Sequence, residues 1–310
     1  MTRFKASILL ITYNQNIFVR DAALSCLSQN CEPIEIIFSD DCSTDGTYQT
    51  LCDISNKYKG PHTIVVRRNK TNLGIANHYN TLVKVASGSL LVTAAGDDVS
   101  DENRVRELLV AREAHPEADL IASYANRMTL DGNMTGQLLA VDDLANWGTP
   151  QLWCKKRPYV IGATHAFTKR LWDKFGDIAA DVPYEDQVMA FRASCLGGGH
   201  TVALPLVSYR EGGVSSKHAV NSRGDRHIAI RSRYSKQLST YSQIRRDMHT
   251  AELESLWQGK TERYLNRSIA ALAMLDAFSE GRSVLRTAAR HWQRSGIYWT
   301  IRQAWYTERP

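Results

Sequence analysis

The sequence contains no apolar run that approaches the roughly 20 residues needed to cross a bilayer. Cysteines are few, six in 310 residues, and they form neither a Cys-x-x-Cys pair nor a spacing suited to a zinc site. A chain of this length buries enough core without disulfides, so we expect reduced thiols. Because neither end shows the pattern of a signal peptide, we expect a cytoplasmic protein, either soluble or peripheral on the inner face of the cytoplasmic membrane.

Internal repeats, low-complexity tracts and recognisable nucleic-acid-binding motifs are also missing, so the net charge of +6 does not indicate a nucleic-acid partner. The charge is unevenly distributed. Residues 1–220 hold 22 Lys and Arg against 24 Asp and Glu, whereas residues 221–310 hold 16 against 8. The basic excess therefore lies in the last part of the chain, which needs an explanation of its own.

Short apolar runs alternate with helical patterns in the first part of the chain. The predicted strands span residues 6–12, 34–39, 63–67, 90–94 and 119–124. Strands that alternate with helices at this spacing predict an α/β fold, with βαβ units and a mostly parallel central sheet over residues 1–125.

The pattern changes after residue 126. The run Asp131-Gly132-Asn133 predicts a hairpin turn between short strands, and a further strand is predicted at 159–168. Pro183 suits the first turn of a helix that carries Tyr184-Glu185-Asp186-Gln187. From about residue 219 onward, helical patterns dominate.

Pairs of carboxylates follow two of the predicted strands, at the point where each strand ends. Asp40-Asp41 follows the strand at 34–39, and Asp97-Asp98 follows the strand at 90–94. Open α/β sheets bind ligands at this end of their strands. Adjacent carboxylates repel each other, and a hard divalent cation that bridges to phosphate oxygens would relieve the repulsion. Such pairs also occur in plain turns and helix starts, so the local pattern alone leaves both interpretations open.

Four segments occur together in a fixed order: S-I-L-L-I-T-Y-N at 7–14, S-D-D-C-S-T-D-G-T at 39–47, G-D-D at 96–98 and Y-E-D-Q at 184–187. This ordered set resembles the family 2 glycosyltransferases of the GT-A fold, over about residues 5–215. The resemblance implies a Rossmann-like, mixed and mostly parallel sheet flanked by helices. We therefore expect a catalytic domain at 1–218, with a nucleotide-sugar-binding half at 1–125 and an acceptor-side half at 126–218. The helical patterns and the charge beyond it predict a helical basic extension at 219–310.

The resemblance also implies a metal and a nucleotide-sugar donor. Asp98, assisted by Asp97, would hold Mn²⁺ or Mg²⁺ against the donor diphosphate, which must leave with extra negative charge. Asp41 would accept the imide N–H of uracil or thymine, which points to a UDP- or dTDP-sugar. Asp40 would be a secondary contact.

Two residues after the first strand complete the predicted donor site. Tyr13 would line the base pocket, where its ring could stack, and Asn14 beside it is also predicted to bind the donor. Simpler roles remain open for this loop and its neighbour. Tyr13 could be a core residue, and Asp40 and Asp41 could merely cap the following helix.

Inverting transfer needs one general base to take the proton of the acceptor hydroxyl. The resemblance assigns this role to Asp186. Neighbouring residues on a helix point about 100° apart, so only one of the pair can face the donor squarely. Glu185 therefore remains the alternative base, or a contact of the acceptor, and both could be a solvated helix start.

Two further segments surround the predicted site. Gly162-Ala163-Thr164 resembles a small-residue segment beneath the acceptor. The segment at 209–215 lies where related proteins often carry a His-bearing loop over the diphosphate, but Glu211 and Gly212 depart from that pattern and weaken the case for a His ligand. Cations at the end of this region could still neutralise phosphate: Arg210, Lys217 and His218.

The basic tail carries Arg282, Arg286, Arg290 and Arg294 at every fourth residue, among apolar residues such as Val284, Leu285, Trp292, Ile297 and Trp305. An interfacial helix of this kind could bind an anionic membrane surface, each basic residue adding about 1 kcal/mol. The tail could equally pack its aromatic residues on the catalytic domain or on a second subunit, which would make a homo-oligomer. Periodicity and charge do not separate these two uses.

We therefore expect an inverting, metal-dependent glycosyltransferase of bacterial cell-surface polysaccharide assembly, with a saccharide or lipid-linked saccharide as acceptor. A sugar nucleotidyltransferase also uses a strand-end carboxylate and a metal. The Gly-rich phosphate loop expected near its N-terminus is missing, since residues 11–20 contain no Gly. A non-catalytic protein that binds a nucleotide sugar is the third possibility, and the set of Asp41, Asp98 and Asp186 argues against it.

Overall fold

Apolar and β-branched residues build a mixed sheet that organises the chain. The computed structural model describes residues 4–148, 157–212, 223–253, 260–295, 299 and 303. Its strands are β1 (Phe4–Thr12), β2 (Glu35–Asp40), β3 (Thr63–Arg68), β4 (Gly88–Ala95), β5 (Val99–Ser100), β6 (Leu120–Met128), β7 (Met134–Leu139), β8 (Ala166–Thr168) and β9 (Gly199–Arg210). Its helices are α1 (Val19–Leu27), α2 (Thr47–Lys57), α3 (Gly74–Val85), α4 (Arg104–Ala114), α5 (Lys169–Phe175), α6 (Glu185–Cys195), α7 (Arg223–Thr250), α8 (Lys260–Ser279) and α9 (Val284–Ser295).

The sheet has the strand order β3-β2-β1-β4-β8-β6-β9-β5, and β7 pairs with β6. The first four strands in this order are parallel, as predicted for residues 1–125. β8 is antiparallel to both β4 and β6, whereas β9 runs parallel to β6. The register pairs Thr12 with Asp40 and Ile11 with Ala95, so the carboxyl ends of β1, β2 and β4 lie side by side. This edge is where the sequence places its carboxylate pairs.

The core explains why the first strands are so apolar. Every residue of β2 is buried, as are Ala6 to Leu10 of β1 and Leu90 to Ala94 of β4. Strands of a parallel sheet that helices cover on both faces show such continuous burial rather than alternation. The side chains pack with buried residues of α1, α2 and α4 in one hydrophobic cluster.

Beyond residue 126, the predicted hairpin turn is confirmed and the predicted strand is mostly wrong. The hairpin turn is confirmed, because the N–H of Thr129 donates to the carbonyl of Asn133 and Gly132 adopts a φ of +85°. The strand predicted at 159–168 is wrong over most of its length. Only Ala166–Thr168 is extended and paired, and Gly162–Thr164 forms a 3₁₀ turn instead. The partners β4 and β6 offer only three and two residues of pairing to this segment.

The described residues form two compact units. The first falls within Met1–Pro150, Pro158–Ala180 and Glu185–Ser216 and contains the sheet. The second falls within Gln151–Arg157, Asp181–Tyr184 and Lys217–Pro310 and contains α7, α8 and α9. Within the part of the chain that the structure describes, no helix is long and apolar enough to span a membrane.

The second unit has a small core of its own. Val284 and Ala288 of α9 pack with Ala270 and Met274 of α8, and Trp299 packs against this cluster. The opposite side of α9 is exposed: Leu285, Arg286, Ala289 and Arg290. Arg282 pairs with Glu280 over 2.6 Å. The side chains of Trp292 and Arg294, and the residues Ile297 and Trp305, lie outside the described residues.

Candidate active site

The turn after β4 begins with a glycine that its surroundings require. The N–H of Gly96 donates to the carbonyl of Ile11 over 3.0 Å, which brings the turn against the end of β1. A Cβ at Gly96 would overlap Oε1 of Gln15 and lie 2.8 Å from Cγ2 of Thr12. A larger residue would force the side chains of Gln15 and Thr12 to move, so glycine suits this close approach of the β4 turn to the β1–α1 loop.

Asp98 is a buried carboxylate at the end of this turn. The residue is 6% exposed, and its Oδ1 accepts the backbone N–H of Arg210 over 2.8 Å. Burial, and then the like charge of Asp97, raise the pKa of Asp98 to about 7, although that hydrogen bond and the charges of Arg104 and Arg210 oppose the shift. Asp97 is half-buried beside it. A cation at this position would stabilise the ionised form of both carboxylates.

Arg210, predicted to neutralise phosphate, is 4% exposed at the end of β9. Its Nε donates to the carbonyl of Asp97 over 2.8 Å, one terminal nitrogen donates to the carbonyl of Leu130 over 2.7 Å, and the guanidinium lies 4.7 Å from the ring centre of Phe18. Arg210 thus ties the carboxylate turn to the β6–β7 hairpin. Its contact with phosphate stays a prediction, and Lys217 and His218 lie outside the described residues.

Asp40 and Asp41 are both buried at the end of β2, but their surroundings differ. Oδ2 of Asp40 accepts the N–H of Ser43 and pairs with Nε of Arg68 over 3.2 Å, while its Oδ1 has no hydrogen-bond partner in the described residues. Asp41 accepts three hydrogen bonds from the loop between β3 and α3. Asp41 therefore holds that loop in place, independently of any role in binding the donor.

The three donors to Asp41 are Nδ2 of Asn69 at 2.7 Å, the N–H of Leu73 at 2.9 Å and the N–H of Gly74 at 3.0 Å. Gly74 adopts a φ of +74°, so this turn favours glycine. The sequence Asn72-Leu73-Gly74 adds to the family resemblance, but residues 68–74 were given no role in the predicted site. The signal that could have identified it is Asn69 directly after a strand, since asparagine there can reach a neighbouring strand end.

Tyr13 and Asn14 lie in the loop after β1. The Tyr13 side chain is 39% exposed, so it is not a core residue and its ring is accessible. Asn14 takes a φ of +50°, its N–H donates to Oγ of Ser43, and its Oδ1 accepts the N–H of Thr44. Asn14 therefore joins the β1–α1 and β2–α2 loops.

A buried polar network beneath these loops was missed at the sequence level. Arg67 donates to Oγ of Ser39 and to Oδ1 of Asn69, both over 2.6 Å, and Ser39 Oγ lies 2.6 Å from Nε2 of His78. Burial lowers the pKa of His78 to about 4, so its imidazole is neutral at physiological pH. The network holds Asn69 in the position from which it binds Asp41.

Glu185 and Asp186 are the first two residues of α6, and Gly162 lies against both of them. A Cβ at Gly162 would come 3.2 Å from Oε1 of Glu185 and 3.3 Å from Cβ of Asp186. Burial, followed by the like charge of Asp186, raises the pKa of Glu185 well above its ordinary range. Oδ1 of Asp186 accepts the N–H of Gln187 over 2.7 Å.

The structure thus brings the predicted residues together in two groups. The loops after β1, β2 and β4 carry Tyr13, Asn14, Asp40, Asp41, Asp97 and Asp98, with Arg210 bound to the last of these loops. The second group is Gly162 with the two carboxylates of α6. No described part of the chain gathers three or more His, Cys, Asp or Glu side chains as a complete metal site. Mg²⁺ sites in phosphate chemistry commonly use one or two carboxylates and complete their shell with phosphate oxygens and water.

Known proteins resemble this chain in both sequence and fold. The model of glycosyl transferase family 2 matches residues 7–171. Glycosyltransferase GlyG of Streptococcus pneumoniae is 31% identical over 144 residues, which cover 45% of this chain and 46% of that protein. The chain spans between 32% and 46% of the length of the curated relatives that it matches.

Solved structures that resemble nearly the whole chain include TarS and PcManGT. TarS of S. aureus, in complex with UDP-GlcNAc, matches 98% of this chain and 89% of its own with a TM-score of 0.56 at 16% identity. The mannosyltransferase PcManGT of Pyrobaculum calidifontis, in complex with GDP-Man and Mn²⁺, matches 97% and 84% with a TM-score of 0.55 at 18% identity. At such low identity these matches show the fold alone, and they confirm the GT-A sheet flanked by helices. Since the family match covers more than half of the sequence, the chain belongs to glycosyl transferase family 2.

Proposed function

We propose that this protein is an inverting glycosyltransferase that moves a sugar from a nucleotide-diphosphate donor to a saccharide or lipid-linked saccharide acceptor. The observation that carries the proposal is the buried carboxylate of Asp98 at the end of β4, beside Asp97. This turn is hydrogen-bonded to β1, whose end also contacts Asp41. TarS and PcManGT, which share the fold, were solved with nucleotide sugars. We further propose residues 1–218 as the catalytic domain and 219–310 as a separate helical extension.

The carboxylate turn suits a divalent cation. Asp98 has little solvent to stabilise its charge, and Asp97 adds a like charge next to it. Asp98 and Asp97 would hold Mn²⁺ or Mg²⁺, whose remaining ligands would come from the donor and from water. The bound cation would offset the negative charge that develops on the leaving diphosphate. The Mn²⁺ bound to PcManGT supports this assignment without selecting the metal.

The loops after β1 and β2 would bind the nucleoside. Three protein donors already occupy Asp41, and a carboxylate offers about four acceptor positions, so one remains for the imide N–H of uracil or thymine. Oδ1 of Asp40 is buried without a partner in the described residues, which makes it a second acceptor for a donor group. The exposed ring of Tyr13 would stack on the base.

Asp186 would act as the general base. A base must be ionised at working pH, and burial favours the protonated, neutral form of Glu185. A protonated Glu185 cannot accept the proton of the acceptor hydroxyl, but it can donate a hydrogen bond to the acceptor. Gly162 leaves the space over the two carboxylates that a side chain would fill.

A screen of nucleotide sugars tests the proposed function. The purified chain is incubated with UDP-, dTDP- and GDP-sugars, with Mn²⁺, Mg²⁺ or EDTA, and release of the nucleoside diphosphate is measured. We expect release with at least one uridine or thymidine donor, and loss of release in EDTA. Formation of pyrophosphate from a nucleoside triphosphate and a sugar 1-phosphate would identify a sugar nucleotidyltransferase instead. Calorimetric binding of a donor without any turnover would identify a non-catalytic binding protein.

For the second unit we propose attachment to an anionic membrane surface. The side of α9 that does not pack on α8 exposes Leu285 beside Arg286, with Arg290 one turn further. Cationic side chains beside an exposed apolar residue suit the boundary between lipid headgroups and acyl chains. This proposal places the protein on the inner face of the cytoplasmic membrane, where lipid-linked acceptors are found.

A further inference from the structure

Arg104 begins α4 and is only 1% exposed, yet sequence reasoning gave it no role. One terminal nitrogen of its guanidinium donates to two carbonyls, that of Thr93 over 2.8 Å and that of Ala163 over 2.6 Å. The other donates to Oγ of Ser100 over 3.0 Å. Arg104 forms no ion pair with any other described residue. Burying a cation among carbonyl and hydroxyl oxygens, without a paired carboxylate, costs free energy. The buried position of Arg104 therefore suggests a specific role.

The two carbonyls belong to the two parts of the proposed site. Thr93 lies in β4, four residues before Asp97, and Ala163 lies in the turn whose neighbour Gly162 contacts Glu185 and Asp186. A second bond joins the same parts, because the N–H of Thr93 donates to the carbonyl of His165 over 2.9 Å. Arg104 therefore bridges the strand that leads to the metal turn and the segment that supports the proposed base.

Two backbone hydrogen bonds close the turn around Ala163. The N–H of Thr164 donates to the carbonyl of Ile161 over 2.9 Å, and the N–H of His165 donates to that of Gly162 over 3.0 Å. Moving the carbonyl of Ala163 therefore moves Gly162, which lies so near α6 that an added Cβ would come 3.2 Å from Oε1 of Glu185. The two terminal nitrogens of the planar guanidinium hold three acceptors at fixed positions, the carbonyls of Thr93 and Ala163 and Oγ of Ser100, whereas the ammonium of lysine is a point charge on a flexible stem.

We propose that Arg104 is a positioning residue for glycosyl transfer, which sets the distance between the Asp97–Asp98 turn and the Gly162 wall of Asp186. This inference rests on the proposed function, because it assigns donor and base to these two parts. Arg104 acts through its hydrogen bonds to Thr93 and Ala163, and Arg104→Lys keeps the positive charge that it presents to Asp98.

Two substitutions on α4 test this role. Arg104→Lys keeps the buried charge and removes the planar fork. Arg106→Lys is the matched control, because Arg106 lies two residues on in the same helix, is half-exposed and pairs only with Glu107 among the described residues. We expect kcat for transfer to fall about tenfold or more in Arg104→Lys, since small displacements of reacting groups are costly. The donor dissociation constant should stay within about threefold, and the control should match the wild type in both.

Hydrogen–deuterium exchange gives a readout that does not depend on activity. Arg104→Lys should increase exchange of the amides of Thr164 and His165, while the amides of β1 and β2 keep their protection. The thermal midpoint and circular dichroism of each variant establish that it is folded. Should Arg104→Lys not fold, Arg104→Gln, which can still bond one carbonyl, replaces it.

The outcomes separate the two proposals. Unchanged exchange at Thr164 and His165 with unchanged kcat would overturn the positioning role, as would a kcat loss matched by an equal loss of donor affinity. A wild-type chain that turns over no nucleotide sugar would overturn the proposed function, while the exchange experiment would still decide whether Arg104 holds the Ala163 turn.

Discussion

Oδ1 of Asp98 accepts the backbone N–H of Arg210, a hydrogen bond of 2.8 Å between residues 112 positions apart in the chain. This contact joins the end of β4 to the end of β9 and orients the carboxylate that we propose as the metal ligand. The second oxygen of Asp98 makes no hydrogen bond to any described residue, which leaves it available to a cation. The charge of Asp98 and its acceptor oxygen can therefore be tested separately.

Asp98→Asn should keep the fold and lose the metal. The asparagine oxygen can still accept the N–H of Arg210, but the amide carries no charge to bind a divalent cation. We expect donor affinity in Mn²⁺ to fall about tenfold or more, with a thermal midpoint close to that of the wild type. Calorimetry with donor and Mn²⁺ measures the first quantity. Asp98→Ala, which also removes the acceptor, should lose stability as well, and metal-dependent donor binding that survives in both variants would refute the assignment.

Asp186→Asn should abolish transfer while donor binding survives. General base catalysis contributes about 10²–10⁴-fold, so a neutral amide at this position should reduce kcat by that order. Glu185→Gln is the matched comparison, because burial raises the pKa of Glu185 and so favours its protonated, neutral form. We expect Glu185→Gln to keep most of kcat. The reverse ranking of the two variants in a steady-state transfer assay would make Glu185 the base.

Gly162→Ala should impair transfer without unfolding the protein. The added Cβ would come 3.2 Å from Oε1 of Glu185, closer than an ordinary contact, so one of the carboxylates must move. We expect kcat to fall several-fold while the donor dissociation constant changes little. Gly148→Ala is the control, because among the described residues its Cβ would meet one atom, at 3.8 Å, in a backbone with a φ of −68°. Similar kinetics in the two variants would show that the space at Gly162 is not needed.

The donor half of the site could be predicted because its signals are local. The strand before Asp97 is predicted at 90–94 and runs over Gly88–Ala95. The carboxylates therefore follow the carboxyl end of the strand, where open α/β sheets bind their ligands. Parallel pairing of β1, β2 and β4 follows from the alternation of strands and helices. Asp40, Asp41, Asp97 and Asp98 therefore meet at one edge of the sheet, as the sequence predicts.

The positions that could not be predicted depend on contacts between residues far apart in the chain. In the sequence, Arg104 has the pattern of an exposed charged residue at the start of a helix. Its burial depends on a hydrogen bond to the carbonyl of Ala163, 59 residues away, which the local sequence does not predict. Arg210 reads as a free cation, but the register of β9 against β6 buries it among backbone carbonyls. The strand expected at 159–168 had an apolar pattern, but only Ala166–Thr168 pairs with β4 and β6, and Gly162–Thr164 turns away as a 3₁₀ helix.

Histidine 165 should make the protein less stable in mild acid. Burial, and then the charge of Arg104, lower the pKa of His165 to about 3 in the folded protein, against about 6.5 in an unfolded chain. Between these values the unfolded chain binds a proton that the folded protein does not, so the free energy of unfolding falls as the pH decreases from 6.5 toward 3. At pH 5 this costs about 2 kcal/mol relative to pH 7.

His165→Phe should remove that part of the pH dependence. We expect the difference in unfolding free energy between pH 7 and pH 5, measured by urea denaturation, to shrink by about 2 kcal/mol relative to the wild type. His249→Gln, which replaces an exposed histidine of α7, is the control and should leave most of the difference in place. An unchanged pH dependence in His165→Phe would mean that His165 can be protonated within the folded protein.

The exposed arginines of α9 should determine binding to anionic lipid. Each basic residue near such a surface adds about 1 kcal/mol, so Arg286→Gln with Arg290→Gln should weaken binding by about 2 kcal/mol, or roughly 30-fold. Lys57→Gln with Lys59→Gln removes the same charge from exposed positions at the end of α2 and serves as the control. Sedimentation with vesicles of anionic or neutral lipid measures the partition of each variant.

The lipid composition and the oligomeric state distinguish the membrane from a second subunit as the partner of α9. Binding to a membrane surface predicts that the wild type sediments with anionic vesicles, that neutral vesicles bind it weakly, and that salt reduces the binding, because exposed charges are screened within a Debye length. Equal sedimentation of the arginine and lysine double variants would contradict the proposal. Binding of a second copy by the exposed face of α9 predicts a mass in solution twice that of one chain. Leu285→Gln should then reduce this mass to that of a monomer, because loss of one buried leucine is enough to weaken a small apolar interface.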